Sequence, residues 1–155
     1  MPVAKADAVI YIRPDGSVDP PTAPIQRIGD IYTLTGNVSG SITVEKDNIK
    51  LDGKNYILQA LSGEGIGLNL HNRRNVTVEN FKIVGFETSI FLLNSTGIVI
   101  FRNVMENNFY GIIIESLENK TGIQPNSNIL LTQSIGKSQY IIKETNKSGK
   151  ADAGI

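Results

Sequence analysis

The chain has 155 residues, enough for one domain with a substantial core, and its 15 Lys+Arg balance 15 Asp+Glu to a formal net charge of zero. That balance lacks the basic footprint of a nucleic-acid binder, and no apolar run approaches the roughly 18–20 residues that span a bilayer. The lack of cysteine excludes disulfides, thiolate metal sites and Cys nucleophiles.

In chain order, Ala4-Lys5-Ala6 resembles the small-residue end of a secretory signal. The expectation is a mature exported chain, extracellular or at the cell surface, against the alternative of an ordinary frayed terminus. Val9-Ile10-Tyr11-Ile12 reads as a strand, and Arg13-Pro14-Asp15-Gly16-Ser17 has the chemistry of a tight turn. Asp19-Pro20-Pro21-Thr22-Ala23-Pro24 is a connector that cannot join a central ladder. Ile31 to Thr35 reads as a second strand, closed by Gly36-Asn37. Residues 1–40 therefore form an N-terminal β capping segment.

From Ile42 the chain repeats itself. Asn48-Ile49-Lys50-Leu51-Asp52-Gly53 returns as Asn75-Val76-Thr77-Val78-Glu79-Asn80, as Gly97-Ile98-Val99-Ile100-Phe101-Arg102-Asn103 and as Asn128-Ile129-Leu130-Leu131-Thr132-Gln133. A second half-unit, Gly85-Phe86-Glu87-Thr88-Ser89-Ile90-Phe91-Leu92, aligns with Asn108-Phe109-Tyr110-Gly111-Ile112-Ile113-Ile114, with weaker copies at Gly65–Leu70 and Gln139–Ile142. The clean units recur every 22–23 residues. Three short strands and three turns use about that many residues for one circuit, stacked at the ~4.8 Å strand spacing. The fold expected is all-β: a single-stranded right-handed parallel β-helix of roughly four to five coils over residues 41–145, with a polar, frayed tail at 146–155.

In this sequence, Asn75 to Ser116 resembles the repeats of pectate-lyase-like right-handed β-helix proteins, including exported carbohydrate-associated domains and NosD-like periplasmic proteins. The leading segment from Val9 is similar to the start of such secreted proteins. The resemblance covers Val9 to Ile142 and implies the fold more strongly than the activity, because lyases, hydrolases, epimerases and non-catalytic surface proteins share it.

The pattern predicts ladders of inward aliphatic side chains. Ile49, Val76, Ile98 and Ile129 form one, and Leu51, Val78, Ile100 and Leu131 another. A third comprises Ile66, Ile90, Ile112 and Ile141, beside Leu68, Leu92 and Ile114, with Phe86 and Phe109 stacked inside. Asn80 and Asn103 fall at turns where an amide can bond neighbouring coils. Alternation turns Gly67, Asn69, Phe91, Leu93, Val99, Ile113, Leu130 and Ile142 outward. Of these, Phe91, Leu93, Ile113, Leu130 and Ile142 make an apolar patch that predicts a homo-oligomer through the C-terminal coils.

The most polar cluster is Asn69, His71, Asn72, Arg73 and Arg74, around the single histidine. In a lyase, the resemblance implies an arginine base beside calcium-binding carboxylates. Arg73, Arg74 and His71 are then the catalytic candidates and calcium the cofactor. The sequence supplies no accompanying aspartate set, no Asp-Asp pair and no Asn-Thr-Asp triplet for the paired-acid work of a hydrolase. One His and two Met are too few for the copper role that the NosD-like resemblance suggests. The reading is therefore no catalytic set, no cofactor and no metal. A phosphate loop at Gly63-Glu64-Gly65-Ile66-Gly67 fails because a strand pattern follows where a helix is required. The insertion at 117–127 offers a recognition loop. Binding candidates are Asn69, His71, Arg73, Glu115, Glu118 and Asn119. Asn37, Asn75, Asn94, Asn119 and Asn146 each open an Asn-x-Ser/Thr sequon.

These features lead to a non-catalytic exported module for glycan binding or cell-surface structure, self-associating, with a polysaccharide as partner. The alternatives are a polysaccharide lyase or hydrolase, and a structural assembly protomer or fragment of a longer solenoid.

Overall fold

A computed structural model describes residues 8–115 in full, and beyond them the backbone of three strands at 129–134, 139–145 and 151–154. Every element is a strand: β1 (Ala8–Ile12), β2 (Val18–Asp19), β3 (Ile25–Ile28), β4 (Ile31–Leu34), β5 (Val38–Val44), β6 (Ile49–Asp52), β7 (Ile57–Gln59), β8 (Ile66–His71), β9 (Val76–Glu79), β10 (Lys82–Val84), β11 (Thr88–Leu93), β12 (Ile98–Glu106), β13 (Tyr110–Glu115), β14 (Ile129–Ser134), β15 (Gln139–Thr145) and β16 (Ala151–Gly154). They wind into a parallel β-solenoid of about four turns with three faces. Face one stacks β4, β6, β9, the first half of β12 and β14. Face two stacks the start of β5, β7, β10 and the second half of β12. Face three stacks β1, the rest of β5, β8, β11, β13 and β15.

The ladders on face one fall in the register the repeats predict: Ile49 beside Val76, Leu51 beside Val78, Ile98 beside Ile129 and Ile100 beside Leu131. Face three differs. Ile90 lies beside Leu68 and Leu92 beside Leu70, while Ile66 pairs with Thr88. The ladder therefore runs Ile10–Ile42–Leu68–Ile90–Ile112, with Ile12–Val44 and Leu70–Leu92–Ile114 alongside. Ile141 pairs with Ile113 and Ile142 with Ile114, one position off the expected pairing of Ile141 with Ile112. Gly67 is also inward. A Cβ there would lie 3.0 Å from Ile83 Cγ2, 3.2 Å from Phe86 Cδ2 and 2.6 Å from the Ser89 carbonyl. Only glycine fits where the chain turns onto face three.

The corners explain the abundance of Asn and Gly. Asn48, Asn75 and Gly97 occupy one corner with φ of 59°, 55° and 66°, and Asn72 and Asn94 reach the left-handed region just before it. Asparagine tolerates this conformation far better than most residues, and glycine pays no Cβ penalty. Arg102, at φ 56°, holds the bend in β12 despite its longer side chain, and its guanidinium covers the Phe101 ring at 4.6 Å.

Two buried asparagines tie the third coil to the fourth. Asn103 accepts the Phe81 N–H at 2.9 Å and donates to the Val78 carbonyl at 2.9 Å. Asn108 repeats the device, accepting the Phe86 N–H at 2.8 Å and donating to the Ile83 carbonyl at 2.9 Å. Both span 22 and 25 residues of sequence. The side chain that meets Phe86 is thus that of Asn108, while Phe109 contributes only its backbone N–H, which donates to the Phe86 carbonyl at 3.1 Å. Phe86 is buried at 3% exposure while Phe109, displaced by one position over Glu87, is 62% exposed. The expected stack of these two rings does not form. Asn80 reaches a side chain instead of the backbone, donating to Asp52 Oδ1 at 3.1 Å.

Antiparallel strands close the outer coils. The turn at Arg13–Ser17, fixed by Gly16 N–H to the Arg13 carbonyl at 2.8 Å, brings β2 back onto β1. The β3–β4 hairpin covers the start of face one, with the Pro-rich connector before β3 at its edge. The tail expected to be frayed instead carries β16, which pairs antiparallel with β15 from Ile142 to Thr145.

Candidate functional site

Face three carries the sequence-predicted residues on its outer side. Asn69 on β8 aligns with Phe91 on β11, and Phe91 with Ile113 on β13. One step along, His71 aligns with Leu93, and Leu93 with Glu115. Because alternate residues share a face, these six form a two-by-three array. His71 and Glu115 lie at opposite margins, two strand spacings of ~4.8 Å apart. Asn69, His71 and Glu115 from the binding set and Phe91, Leu93 and Ile113 from the self-association set thus share one face, whereas Leu130, on β14 beside Val99, belongs to face one. Its centre is apolar and its rim polar. Phe91 and Leu93 are half-buried, and Ile113 is 8% exposed. His71 is exposed and Glu115 half-buried. Asn69 Oδ1 is shielded from solvent without a hydrogen-bond partner among the described residues. The side chains of Leu130 and Ile142 lie outside the described residues, as do Glu118, Asn119 and the whole insertion at 117–127.

The arginines belong to the adjoining corner. Arg73 Nη1 lies 3.4 Å from Asp47 Oδ1, its Nε donates to the His71 carbonyl at 3.1 Å, and its backbone N–H donates to Ser95 Oγ at 2.9 Å. Arg74 donates its backbone N–H to Asp47 Oδ1 at 3.0 Å. These contacts strap the second coil to the third. They spend the Arg73 guanidinium on Asp47 and turn it away from the array. The candidates for a catalytic set therefore divide, with His71 on the face and Arg73 in a structural corner. Among the described residues no group of three or more His, Asp or Glu side chains is placed to hold a metal ion. Among those residues, no helix is long and apolar enough to cross a membrane.

Two buried polar groups escaped the sequence reading. Asp52 is buried. Burial pushes its carboxyl up, but the Lys54 backbone N–H, the Asn80 amide and the Lys54 ammonium together hold it below the usual carboxylate range. Ser89, next to Thr88 and Ile90 on face three, is 0% exposed and its Oγ has no hydrogen-bond partner among the described residues. A cleft of about 250 Å³ also went unforeseen, between the start of β1 and the loop joining β7 to β8, with Ser62, Glu64 and Phe86 in its walls.

No known protein family, curated protein or solved structure matches the chain. The likeness to β-helix proteins is therefore one of fold, and the functional argument rests on the residues above.

Proposed function

We propose that the chain is a non-catalytic, exported binding module whose rigid solenoid presents face three to a glycan, and that it serves at the cell surface. The observation that carries this reading is the array of Asn69, His71, Phe91, Leu93, Ile113 and Glu115. Sugars are amphipathic, with C–H faces that rest on apolar side chains and hydroxyls that need donors and acceptors. A strip with a ring and aliphatic side chains in its middle and His, Asn and Glu at its rim suits that chemistry. The strands also hold these residues without loop entropy. The alternative of a polysaccharide lyase or hydrolase is less well supported, since the Arg73 guanidinium is engaged by Asp47. The apolar centre Phe91–Leu93–Ile113 supports self-association as well, in line with a role in surface assembly.

A polysaccharide and glycan array probed with the full chain tests the reading. Binding to one class of oligosaccharide, weakened about tenfold or more by His71→Ala with Glu115→Ala, is the expected result, in keeping with the loss of one or two polar contacts. Silence across the array, together with release of unsaturated product from uronate polymers, would replace it with the lyase reading. Light scattering across a concentration series checks the self-association, and a strictly monomeric mass at every concentration would remove that part.

A further inference from the structure

The cleft beside the second coil has a structural cause. In the third and fourth coils the corner leading onto face three takes three residues, 85–87 and 107–109. In the first coil β5 runs through that corner without a break, bending at Gly40 with φ 145°. The second coil uses six, 60–65, with Gly63 and Gly65 both left-handed at φ 78° and 80°. The extra residues swing outward, and the coils on either side cannot close the gap. Phe86 of the third coil becomes its floor, Val9 and Ile66 its apolar sides, and Ser41, Ser62 and Glu64 its polar rim.

Its chemistry is divided in the way a single sugar ring is divided. The aromatic and aliphatic side chains offer an apolar surface to a C–H face. The Ser41 hydroxyl can donate or accept, the Ser62 hydroxyl accepts the Glu64 backbone N–H at 3.3 Å and so holds the loop, and the Glu64 carboxylate can accept from two neighbouring hydroxyls of one ring. Among the described residues Glu64 has no salt-bridge partner. A simple ammonium ligand would engage Glu64 and leave Ser41 idle. The volume of about 250 Å³ accommodates one pyranose ring.

From this we infer that the cleft is a subsite for one pyranose residue, a terminal sugar or a branch of the glycan bound on face three. The inference rests on the glycan reading above and adds a second contact point to it. Ile66 and Ser41 place the cleft on the same face as the array, at its opposite, corner-side end, since Ile66 begins β8, the strand that carries Asn69 and His71.

The test is a nuclear magnetic resonance titration of the full chain with the methyl pyranosides of glucose, galactose, mannose and N-acetylglucosamine. Longer oligosaccharides from the array follow in a separate series. One methyl pyranoside should shift the amides of Val9, Ser41 and 62–66 together with the Phe86 ring, at millimolar affinity. Glu64→Ala should weaken that binding about tenfold or more, the loss expected for hydrogen bonds to a charged acceptor. Ser41→Leu, which fills the cleft without touching Glu64, should abolish it, with unchanged aliphatic methyl shifts elsewhere reporting an intact fold. Shifts at Asn69, Phe91 and Leu93 with oligosaccharides but none in the cleft with any methyl pyranoside overturn the subsite and leave the glycan reading standing. Cleft shifts indifferent to both substitutions overturn the subsite as drawn. No response to any saccharide, short or long, overturns both.

Discussion

The two corners at Asn103 and Asn108 and the outer and entering side of face three all hold polar side chains out of water, yet they are built on opposite terms. At the corners each amide gives and receives a hydrogen bond within 3 Å, so that burial is matched by contact. On face three, Ser89 Oγ and Asn69 Oδ1 are buried atoms with no partner among the described residues. A satisfied buried amide rigidifies a coil, whereas an unsatisfied one costs stability and needs another reason to be there. The contrast separates residues that hold the solenoid from residues that the solenoid holds for something else.

Substitutions at these positions can break or sharpen that contrast. The largest effect belongs to Asn103→Leu, which strands the buried Phe81 N–H and Val78 carbonyl. At about 1–3 kcal/mol for each orphaned group, a loss of about 3–5 kcal/mol is expected in the denaturant midpoint. A loss under about 1 kcal/mol would mean that the corner is not a structural tie. Asp52→Ala comes next, at about 2–3 kcal/mol near neutral pH, because it removes hydrogen bonds to a charged acceptor. Its sign with pH is fixed by the lowered carboxyl of the folded state. The stability Asp52 contributes is present above the unfolded carboxylate value of about 3.9 and is lost as pH falls through the lower folded value. Wild-type and variant should therefore converge in strong acid, as followed by thermal unfolding against pH.

The unsatisfied side should respond in the opposite sense. Ser89→Ala removes a hydroxyl that is desolvated for nothing, so a gain of about 1 kcal/mol is expected. Asn69→Val continues the Phe91–Ile113 column and should stabilise by about 0.5–1 kcal/mol in denaturant titration, while weakening the glycan binding proposed for the array. Stabilisation with binding intact would place Asn69 outside the site. The smallest change is Arg102→Asn. Relief of a left-handed backbone, about 1–2 kcal/mol, is offset by loss of the cation–π contact with Phe101, about 0.5–1 kcal/mol at an exposed position. The net gain should be near 0.5 kcal/mol, read from the shift in melting temperature.

The sequence made the solenoid legible because its two strongest signals are local. Repeats such as Asn75–Asn80 and Gly97–Asn103 have no insertion between them, so their spacing directly reports the coil, and the register on face one follows. The register on face three was misread where sequence length and geometry part company. The loop at 60–65 adds residues that a fixed period cannot absorb, so Ile66 was aligned with Ile90, whereas the hydrogen bonds align Leu68 with it. Phe86 and Phe109 were matched by residue type, although the register sets Asn108 opposite Phe86 and the Asn108 side chain accepts the Phe86 N–H. A pairwise likeness of aromatic rings outweighed a one-residue difference in spacing, and only the hydrogen-bond pattern discriminates. For the candidate site, alternation along the strands turned Asn69, Phe91, Leu93 and Ile113 to one side, whereas Gly67, turned outward by the same rule, faces the core. That binding and interface residues coincide there depends on which strands are neighbours. The pairing of Arg73 with Asp47, and the cleft at Glu64, depend on contacts across 26 residues and on the path of a loop. Neither leaves a periodic trace.

The six-residue corner of the second coil shows that the stack tolerates unequal circuits. The coils above and below keep their registers although the path between them is longer, so length at this point is uncoupled from folding. Such a corner is a natural place for grafting. A peptide spliced in at Gly63, where nothing lies within 4 Å of the position a side chain would take, would be displayed from a stiff support while the hydrogen-bonded rungs on either side stayed in register.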